Sequence, residues 1–386
     1  MSLVSHRPTS LQGEDLLLFR DSVRKFLSVH ATSEHIDTWR RAGIVPRSFW
    51  TTVAEAGFLG MSIPERYGGA GVDFRFDMGF VEELAAVGLE SFGAPMHNSV
   101  VAPYIETFGS EEQKQRWLPK MVTGELIGAI AMSEPAAGSD LRGIRTTARR
   151  DGDEYVVNGQ KTYITNGQTA NLIAVIAKTG GGGGGPAKAS IVFVETERVA
   201  GFSRGRNLDK VGMDLADTSE LFFSDVRVPA ANLLGAEGSG MHQLMGQLPQ
   251  ERLIIAVQGI AAAERALALT IDYVKQRRAF GQAIIDFQNT QFKLAECKTE
   301  VTIGRVFVDH CLDRHLRGQL DSATASMAKY WITDLQCRVI DECLQLHGGA
   351  GYMLEYPIAQ MYRDARAQRI YGGTNEIMKV LIARGL

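Results

Sequence analysis

The chain of 386 residues has 45% hydrophobic and 22% charged residues, which is typical of a globular protein with two or three domains. Its net charge of −3 gives no general attraction to nucleic acid or to an anionic membrane, so neither is expected as a partner. The cysteines lack paired C-x-x-C spacing, which favours free buried thiols in a reducing compartment over disulfides or a metal site. We find no signal-peptide core and no apolar run that could span a bilayer, and therefore expect a cytoplasmic protein with no membrane span.

Residues 1–124 are predicted to form an α-helical domain. Apolar residues recur there at helical spacing with charges between them. The expected helices cover residues 15–27, 49–56, 74–87 and 110–121. Ser110 suits the N-cap position of the last of these helices, and the Pro- and Gly-rich stretch 63–71 predicts a loop.

Residues 125–236 are predicted to form a β domain, because short apolar runs alternate there with Gly, Asn and Asp. The expected strands lie within 127–132, 154–157, 172–177, 190–194 and 221–229. Asp151–Gly152 and Asn158–Gly159 are turn signals. Six consecutive glycines within 179–186 predict a flexible surface loop. A phosphate-binding loop would need a Lys-Ser/Thr pair and a following helix, which this run lacks.

Residues 237–386 are predicted to form a helical bundle. Long helical patterns cover 249–277, 289–316 and 321–346, and each exceeds the mean helix length of about 11–12 residues. Similar lengths with short connections favour antiparallel packing. A double-glycine break follows the third helix, and a last helix is expected after Thr374.

Glu251 stands at the mouth of the most apolar of these helices. Pro249 suits a first helical position, and residues 253–263 carry only one clearly polar side chain, Gln258. The helix macrodipole would favour a charged Glu251, whereas an apolar pocket would favour the neutral acid. A general base needs both influences, but on these residues alone an ordinary first-turn acid is the more frequent explanation.

Four other segments could carry chemistry. The loop 130–140 could let a flat ligand lie against the main chain, or it could be a tight turn capped by Asp140. The stretch 161–167 places an aromatic and a hydroxyl on a strand, which ordinary strand pairing also explains. Arg277 and Arg278 could grip a phosphate or simply be cations at a helix C-terminus. The double glycines in 345–352 and 370–376 either end helices or allow a ligand to approach the backbone.

Together these segments resemble the acyl-CoA dehydrogenase family, over essentially the whole chain. The motifs that carry the resemblance are residues 132–140, 163–167, 212–213, 276–282, 345–352 and 371–377, in that order. The long-chain branch is the most similar one, on residues 248–253, 321–331 and 371–379. The resemblance implies an α+β fold with an N-terminal α-helical domain, a middle β-barrel-like domain and a C-terminal four-helix bundle. It also implies a homotetramer built as a dimer of dimers.

The resemblance implies FAD as the cofactor, between the β domain and the C-terminal bundle. The isoalloxazine ring would contact residues 130–139 and 163–165, with Tyr163 covering one face; the contacts are Met132, Ser133, Gly138, Ser139, Tyr163, Ile164 and Thr165. The pyrophosphate and adenosine would be reached across the dimer interface by Arg277, Gln288, Gln345, Leu346, His347, Gly348 and Gly349. Thr374, Asn375 and Glu376 would contact FAD from the start of the last helix.

The activity implied is α,β-dehydrogenation of an acyl-CoA thioester to trans-2-enoyl-CoA. In this family a carboxylate removes the α-proton, a hydride passes to flavin N5, and a backbone amide polarises the thioester carbonyl, here that of Gly372. Many members carry the catalytic Glu where this chain has Gly372, whereas the isovaleryl and long-chain branches place it where this chain has Glu251. We therefore predict Glu251 as the base, with its carboxylate close to Gly372 and beside the flavin.

The resemblance also implies the remaining contacts and partners. Ser139, His242, Arg252, Gly372 and Gly373 would contact the substrate, although His242 departs from the aromatic residue usual at its position. Reduced flavin would pass electrons to an electron-transferring flavoprotein, in fatty acid β-oxidation. The alternatives are an oxidase of the same fold and a non-catalytic FAD- or acyl-CoA-binding protein.

Overall fold

The computed structural model describes residues 11–180 and 187–386. The glycine-rich loop predicted at 179–186 and the N-terminal stretch assessed for a signal peptide lie largely outside these residues. Along the described chain, helices come first, a sheet follows, and helices return. This is the predicted order, and the α+β fold is confirmed.

The N-terminal part is helical, and its side chains belong to both of the apolar clusters that flank the sheet. Its helices are α1 (Glu14–His30), α2 (Ser33–Ala42), α3 (Arg47–Glu55), α4 (Phe74–Val87), α5 (Ala94–Met96), α6 (Ala102–Phe108) and α7 (Glu111–Val122). A π-helical turn, His97–Val101, joins α5 to α6. The predicted cap of α7 is present: Ser110 and Gln113 form a capping box.

The middle part is one mixed sheet. Its strands are β1 (Gly128–Ala131), β2 (Thr147–Asp151), β3 (Glu154–Thr165), β4 (Leu172–Thr179), β5 (Lys188–Glu195), β6 (Phe202–Asn207) and β7 (Thr218–Pro229). The order is β1-β4-β2-β3-β7-β6, with β5 paired to β4. The expected turn at Asp151–Gly152 joins β2 to β3, where Asp151 pairs with Glu154.

The second predicted turn in this part was wrong. Asn158 and Gly159 lie inside β3, where the pairing with β7 shifts register between Val157 and Gly159. A glycine within a strand marks a bulge as readily as a turn. Here a Cβ on Gly159 would overlap Thr146, so the glycine allows a neighbouring strand end to approach.

The C-terminal part is a bundle of long helices. They are α8 (Gly240–Gln276), α9 (Gln288–Leu316), α10 (Ser322–His347), α11 (Pro357–Gln368) and α12 (Asn375–Ala383). A small hairpin of β8 (Arg278–Ala279) and β9 (Gln282–Ala283) separates α8 from α9. The cysteines are free thiols, as expected.

The predicted start of α8 was wrong. The helix begins at Gly240, so Pro249 lies inside it rather than at its first position. Contrary to expectation, α8 is also long and apolar enough to cross a membrane, with a mean hydropathy of 1.6 over its most apolar window. Of that window 72% is buried in the protein, as in the core helix of a bundle.

Two apolar clusters hold the three parts together on opposite faces of β4. Leu172, Ala174 and Ile176 pack with α8 and its neighbours in the bundle. The alternate residues Ile173, Val175 and Ala177 pack with side chains of the N-terminal helices. A strand buried on both faces holds the sheet between helices, and α8 is buried against N-terminal helices, the sheet and the rest of the bundle.

Candidate active site

Glu251 lies on α8 and is 9% exposed. Its Oε1 accepts a hydrogen bond of 2.8 Å from the hydroxyl of Tyr104, a fully buried residue of α6. Burial raises the pKa of Glu251 to about 7, although the Tyr104 hydrogen bond and the charge of Arg252 oppose this shift. A carboxyl group with a pKa near 7 is suited to accept and release a proton at neutral pH.

The longer helix changes the electrostatic environment predicted for Glu251. Because α8 begins at Gly240, Glu251 is about three turns from the helix start, where the macrodipole has little effect. Burial is the largest influence on the pKa of Glu251, and the opposing influences come from two side chains. Glu251 is therefore a core carboxyl group rather than a first-turn acid.

Gly372 lies against the same helix. It has φ +66°, and a Cβ at this position would overlap Cδ1 of Ile255, which follows Glu251 by about one helical turn. The Gly372 backbone therefore approaches α8 close to the turn that carries Glu251. This placement is compatible with the predicted approach of Glu251 to Gly372, which stays a prediction.

Lys329 of α10 holds the turn after Gly372. Its Nζ donates to the Gly373 carbonyl at 2.7 Å and to Oδ1 of Asn375 at 2.9 Å. Burial lowers the pKa of Lys329 to about 8. Gly373 has φ +91°, so this ammonium bonds to a turn that only glycine adopts readily.

Arg252 is directed towards α10. Its Nη1 donates to Ser322 Oγ at 2.9 Å and to Ser326 Oγ at 3.3 Å, while its buried Nε has no hydrogen-bond partner among the described residues. These bonds attach Arg252 to the bundle, and its predicted contact with the substrate stays a prediction. Its positive charge acts on Glu251 through space, which lowers the pKa of that carboxyl group.

The two segments predicted to hold the flavin ring are adjacent. The Thr162 amide donates to the Ser133 carbonyl at 2.9 Å, so residues 132–133 lie beside 163–165. Buried Lys161 reinforces this pairing, because its Nζ donates to the Met132 carbonyl at 3.0 Å and to Glu134 Oε1 at 2.9 Å. Burial alone would raise the pKa of Glu134, but hydrogen bonds from Thr146, Arg145 and Lys161 together lower it to about 2.

Tyr163 extends from this junction. It has φ 57° and is 72% exposed, an unusual combination for a large aromatic residue. Gly138 and Ser139 are exposed on the neighbouring loop, Ile164 is buried, and Thr165 is half-buried. Asp140 caps the following turn by accepting from the Arg142 amide, so the simpler explanation given for Asp140 also holds.

The predicted pyrophosphate and adenosine contacts gather at one end of the bundle. Arg277 follows the last residue of α8, Gln288 begins α9, and residues 345–349 end α10. Arg277, Gln288, Gln345, Gly348 and Gly349 are exposed, whereas Leu346 is half-buried. The buried His347 ring stacks on Tyr273, and its Nδ1 donates to the Cys343 carbonyl. One ring face and one ring nitrogen of His347 are therefore engaged within the protein.

The Asn375 side chain is bonded within the bundle, and its predicted contact with FAD stays a prediction. Asn375 is buried, and its amide group donates to Tyr330, Thr333 and Asp334 while its oxygen accepts from Lys329. Asn375 therefore fastens α12 to α10 and has no side-chain donor left for FAD. Thr374 is the N-cap of α12, and Glu376 is exposed in its first turn.

Ser139 and His242, the other predicted substrate contacts, are both exposed. Ser139 lies on the loop after β1, and His242 lies in the first turn of α8. Their contact with the substrate stays a prediction, as does their approach to Glu251. The described residues contain no group of His, Cys, Asp or Glu that could hold a metal ion.

The residues present fit FAD. An exposed aromatic ring at a left-handed backbone position stands beside a loop with accessible amides, which suits a flat aromatic ligand. Arg277 and Gln288, exposed at the end of the bundle, are suited to phosphate and hydroxyl groups.

Comparison with known proteins shows the family. The models for the N-terminal, middle and C-terminal domains of acyl-CoA dehydrogenases match residues 13–125, 129–226 and 238–386. The chain belongs to the acyl-CoA dehydrogenase family, whose members are oxidoreductases. The resemblance inferred from the sequence is thereby confirmed.

The chain is similar to a curated relative and to solved structures over nearly its full length. It is 48% identical to the long-chain specific acyl-CoA dehydrogenase of Sus scrofa, over 95% of this chain and 85% of that protein. The acyl-CoA dehydrogenase structure from Geobacillus kaustophilus has a TM-score of 0.93 and 51% identity, covering 97% of this chain and 98% of that one. A glutaryl-CoA dehydrogenase from Mycobacterium smegmatis in complex with FADH2 has a TM-score of 0.89 and 29% identity, covering 97% and 95%.

Three side chains of the candidate site were not predicted from the sequence. Tyr104 of α6 donates to Glu251, and Lys329 of α10 donates to the Gly373 carbonyl. Lys161 donates to the Met132 carbonyl. Lys161 could have been found, because a lysine within an apolar strand needs a partner. Tyr104 gives no such signal, since a tyrosine in a helix is usually core.

Proposed function

We propose that the protein catalyses FAD-dependent α,β-dehydrogenation of acyl-CoA thioesters, with Glu251 as the base. The observation that supports this proposal most is a buried carboxyl group with a pKa near 7 at the position used by the long-chain and isovaleryl branches. Many relatives carry the base where this chain has Gly372. A glycine cannot accept the proton, so another residue has to supply the base. When bound, FAD would accept the two electrons and the hydrogen removed from the β-carbon.

The residues of the chain would act on the substrate in three ways. Glu251 takes the α-proton, so that the electron pair of the C–H bond can form the new double bond. The Gly372 amide donates to the thioester oxygen, where negative charge develops, and Lys329 keeps the adjacent turn in place. Burial of Glu251 raises its pKa to near neutrality, so that it accepts the α-proton more readily than an exposed carboxylate would.

We further propose an electron-transferring flavoprotein as the acceptor, a homotetramer as the assembly, and a cytoplasmic location. Support for the assembly comes from apolar side chains exposed in the C-terminal part: Phe280, Phe292, Ile303, Val306, Tyr352 and Leu354. A bundle that exposes so many apolar side chains is suited to bury them against another copy. The predicted adenosine contacts at the end of this bundle would then serve a neighbouring subunit.

Anaerobic flavin reduction tests the proposed activity. Straight and branched acyl-CoAs of increasing length are mixed with the FAD-loaded protein, and bleaching of the flavin is followed. At least one acyl-CoA should bleach the flavin and give the trans-2-enoyl-CoA, while oxygen uptake with the same substrate stays slow. Rapid oxygen uptake would favour the oxidase, and an absence of bleaching with every acyl-CoA would favour a binding protein.

A further inference from the structure

The base is bonded to a residue that neither the sequence motifs nor the family comparison assign. Tyr104 Oη donates to Oε1 of Glu251 at 2.8 Å, and both side chains are buried. The two residues are separated by 147 positions, so only the packing of α6 on α8 brings them together. Glu251 Oε1 is thereby occupied, and Oε2 accepts no hydrogen bond from the described residues.

The direction of Tyr104 is set by the π-helical turn before α6. A π turn contains an extra residue, which rotates the following helix about its axis, and such turns are frequent at functional sites. Its polar side chains hold it in place. His97 bonds to the Gly128 amide and the Met121 carbonyl, and Asn98 accepts from the Gly60 amide and donates to the Phe58 carbonyl.

A second bond joins this turn to α8 next to the base. Gln250 Nε2 donates to the Ser99 carbonyl at 2.8 Å. The neighbours Gln250 and Glu251 are therefore each bonded to the segment 97–104, one through the main chain and one through the tyrosine hydroxyl. Two bonds from adjacent residues fix the rotation of α8 relative to α6 more firmly than either bond alone.

We propose that Tyr104 is a positioning residue for the base: it holds Oε1 of Glu251 and so directs Oε2 to the α-proton of the substrate. This inference rests on the proposed function, in which Glu251 is the base. The proton moves from the α-carbon to Oε2, while Tyr104 keeps its own proton throughout. A phenol that donates to the carboxylate also stabilises the charged, proton-accepting form.

The titratable groups on Glu251's own helix and on the helices near it come from four helices. Tyr104 of α6 bonds to it, and Arg252 of α8 acts through its charge. Lys329 of α10 is directed to Gly373 and Asn375, and Asp77 of α4 accepts from Ser99. Of these groups, only Tyr104 makes a hydrogen bond to Glu251, so its removal should change the pH dependence of the proton transfer.

The test is Tyr104→Phe in the FAD-loaded protein, with flavin reduction by an active acyl-CoA measured from pH 5.5 to 9.5. We expect a rate about five- to tenfold lower near pH 7 and an acidic limb moved upward by roughly one pH unit, because the ionised base loses a hydrogen bond. At high pH the rate should recover only in part, because the carboxylate is then ionised but is no longer held by Tyr104. Tyr67→Phe is the matched control, since Tyr67 is also buried and donates to a carboxylate, Glu111, at 2.7 Å.

An unchanged profile, or a loss that is uniform across the pH range, would overturn the proposal. If Tyr104→Phe does not fold, 3-fluorotyrosine at position 104 keeps the shape and makes the hydroxyl a better donor. The acidic limb should then move to lower pH, and no movement would equally overturn the proposal. Failure of the proposed function is distinguishable, because the wild-type flavin would then not be reduced by any acyl-CoA.

Discussion

At the scale of single residues, Glu251 stands in an environment that favours its neutral form. Burial raises its pKa to about 7 from an ordinary value of 4.5. The folded protein therefore binds this proton more tightly than the unfolded chain does. The stability contributed by the protonated group is fully present below pH 4.5 and is lost as the pH rises through about 7.

Replacement of Glu251 by Gln should stabilise the protein at high pH. The variant does not ionise, so its free energy of unfolding should exceed that of the wild type by an amount that grows from pH 4.5 to pH 8 and reaches about 3 kcal/mol. Thermal denaturation of both proteins at several pH values checks this. Glu376→Gln, at an exposed position, should show no such growth. A constant difference between wild type and E251Q would contradict the raised pKa.

A methyl group at Gly372 should be poorly tolerated. Gly372→Ala combines φ +66° with an overlap between the new Cβ and Cδ1 of Ile255, so we expect a loss of about 2–3 kcal/mol in the free energy of unfolding. Flavin reduction should also slow, because the Gly372 amide moves. Gly246→Ala on α8 is the control, since its Cβ would meet only Phe108 at an ordinary 3.6 Å.

The overlap itself can be tested by a second substitution. In an Ile255→Ala background, the additional loss from Gly372→Ala should be smaller, because only the backbone strain remains. An equal loss in both backgrounds would show that Ile255 does not limit the space at Gly372.

At the scale of elements, a buried ion pair reinforces the junction between the residues after β1 and strand β3. Lys161→Met removes the donor to the Met132 carbonyl and leaves Glu134 without its ammonium partner. We expect a loss of about 3–5 kcal/mol in stability and weaker retention of FAD, because residues 132–133 and 163–165 separate. FAD content after gel filtration and denaturant unfolding measure the two effects. Full FAD retention would contradict the assignment of this junction to the cofactor.

The N-terminal helices are fastened to the bundle by a buried charge network around Arg305 of α9. It bonds to Glu82 of α4 at 2.6 Å and to Glu264 of α8 at 2.6 Å. Arg305→Met should cost about 3–5 kcal/mol, because Glu264 loses its buried cation and Glu82 loses Arg305 while it keeps Arg20. Arg206→Met, which removes a 70% exposed arginine paired with Asp209, should cost less than about 1 kcal/mol. Similar losses in the two variants would contradict a structural role for the buried network.

At the scale of the whole molecule, the sequence predicts the order of the parts better than the details of the site. The long helical patterns predicted α9 and α10 to within a residue at each end, because Gly318, Asp321 and Gly348 mark helix ends in the sequence. The start of α8 was predicted wrongly from Pro249, and a turn was predicted wrongly from the Asn158–Gly159 pair. Tertiary packing allows a proline inside α8 and a bulge inside β3. Motif resemblance, rather than local chemistry, singled out Glu251.

Contacts between distant segments could not be predicted from the sequence. Tyr104 and Glu251 are 147 positions apart, and nothing local marks either as the partner of the other. Asn375 follows a helix cap and was predicted to meet a ligand, yet all its donors and its oxygen are bonded within the bundle. These contacts depend on how each helix is rotated about its axis, and the sequence pattern does not determine that rotation.

The exposed apolar side chains of the bundle lead to a prediction for the assembly. Analytical ultracentrifugation should give a mass about four times the 42.2 kDa of one chain. Ile303→Lys, at an exposed position of α9, should shift the protein to smaller species and reduce FAD retention if adenosine contacts come from a neighbouring subunit. A wild-type protein that sediments as one chain would contradict the proposed tetramer.

The central claim is that Glu251 removes the α-proton, and anaerobic stopped-flow reduction of Glu251→Gln tests it most directly. The variant should keep its FAD and bind an acyl-CoA that reduces the wild type, yet its flavin should bleach at least about a hundredfold more slowly. Glu55→Gln, which removes an exposed carboxylate at the end of α3, should bleach at a rate close to that of the wild type. Undiminished bleaching in Glu251→Gln would contradict the account.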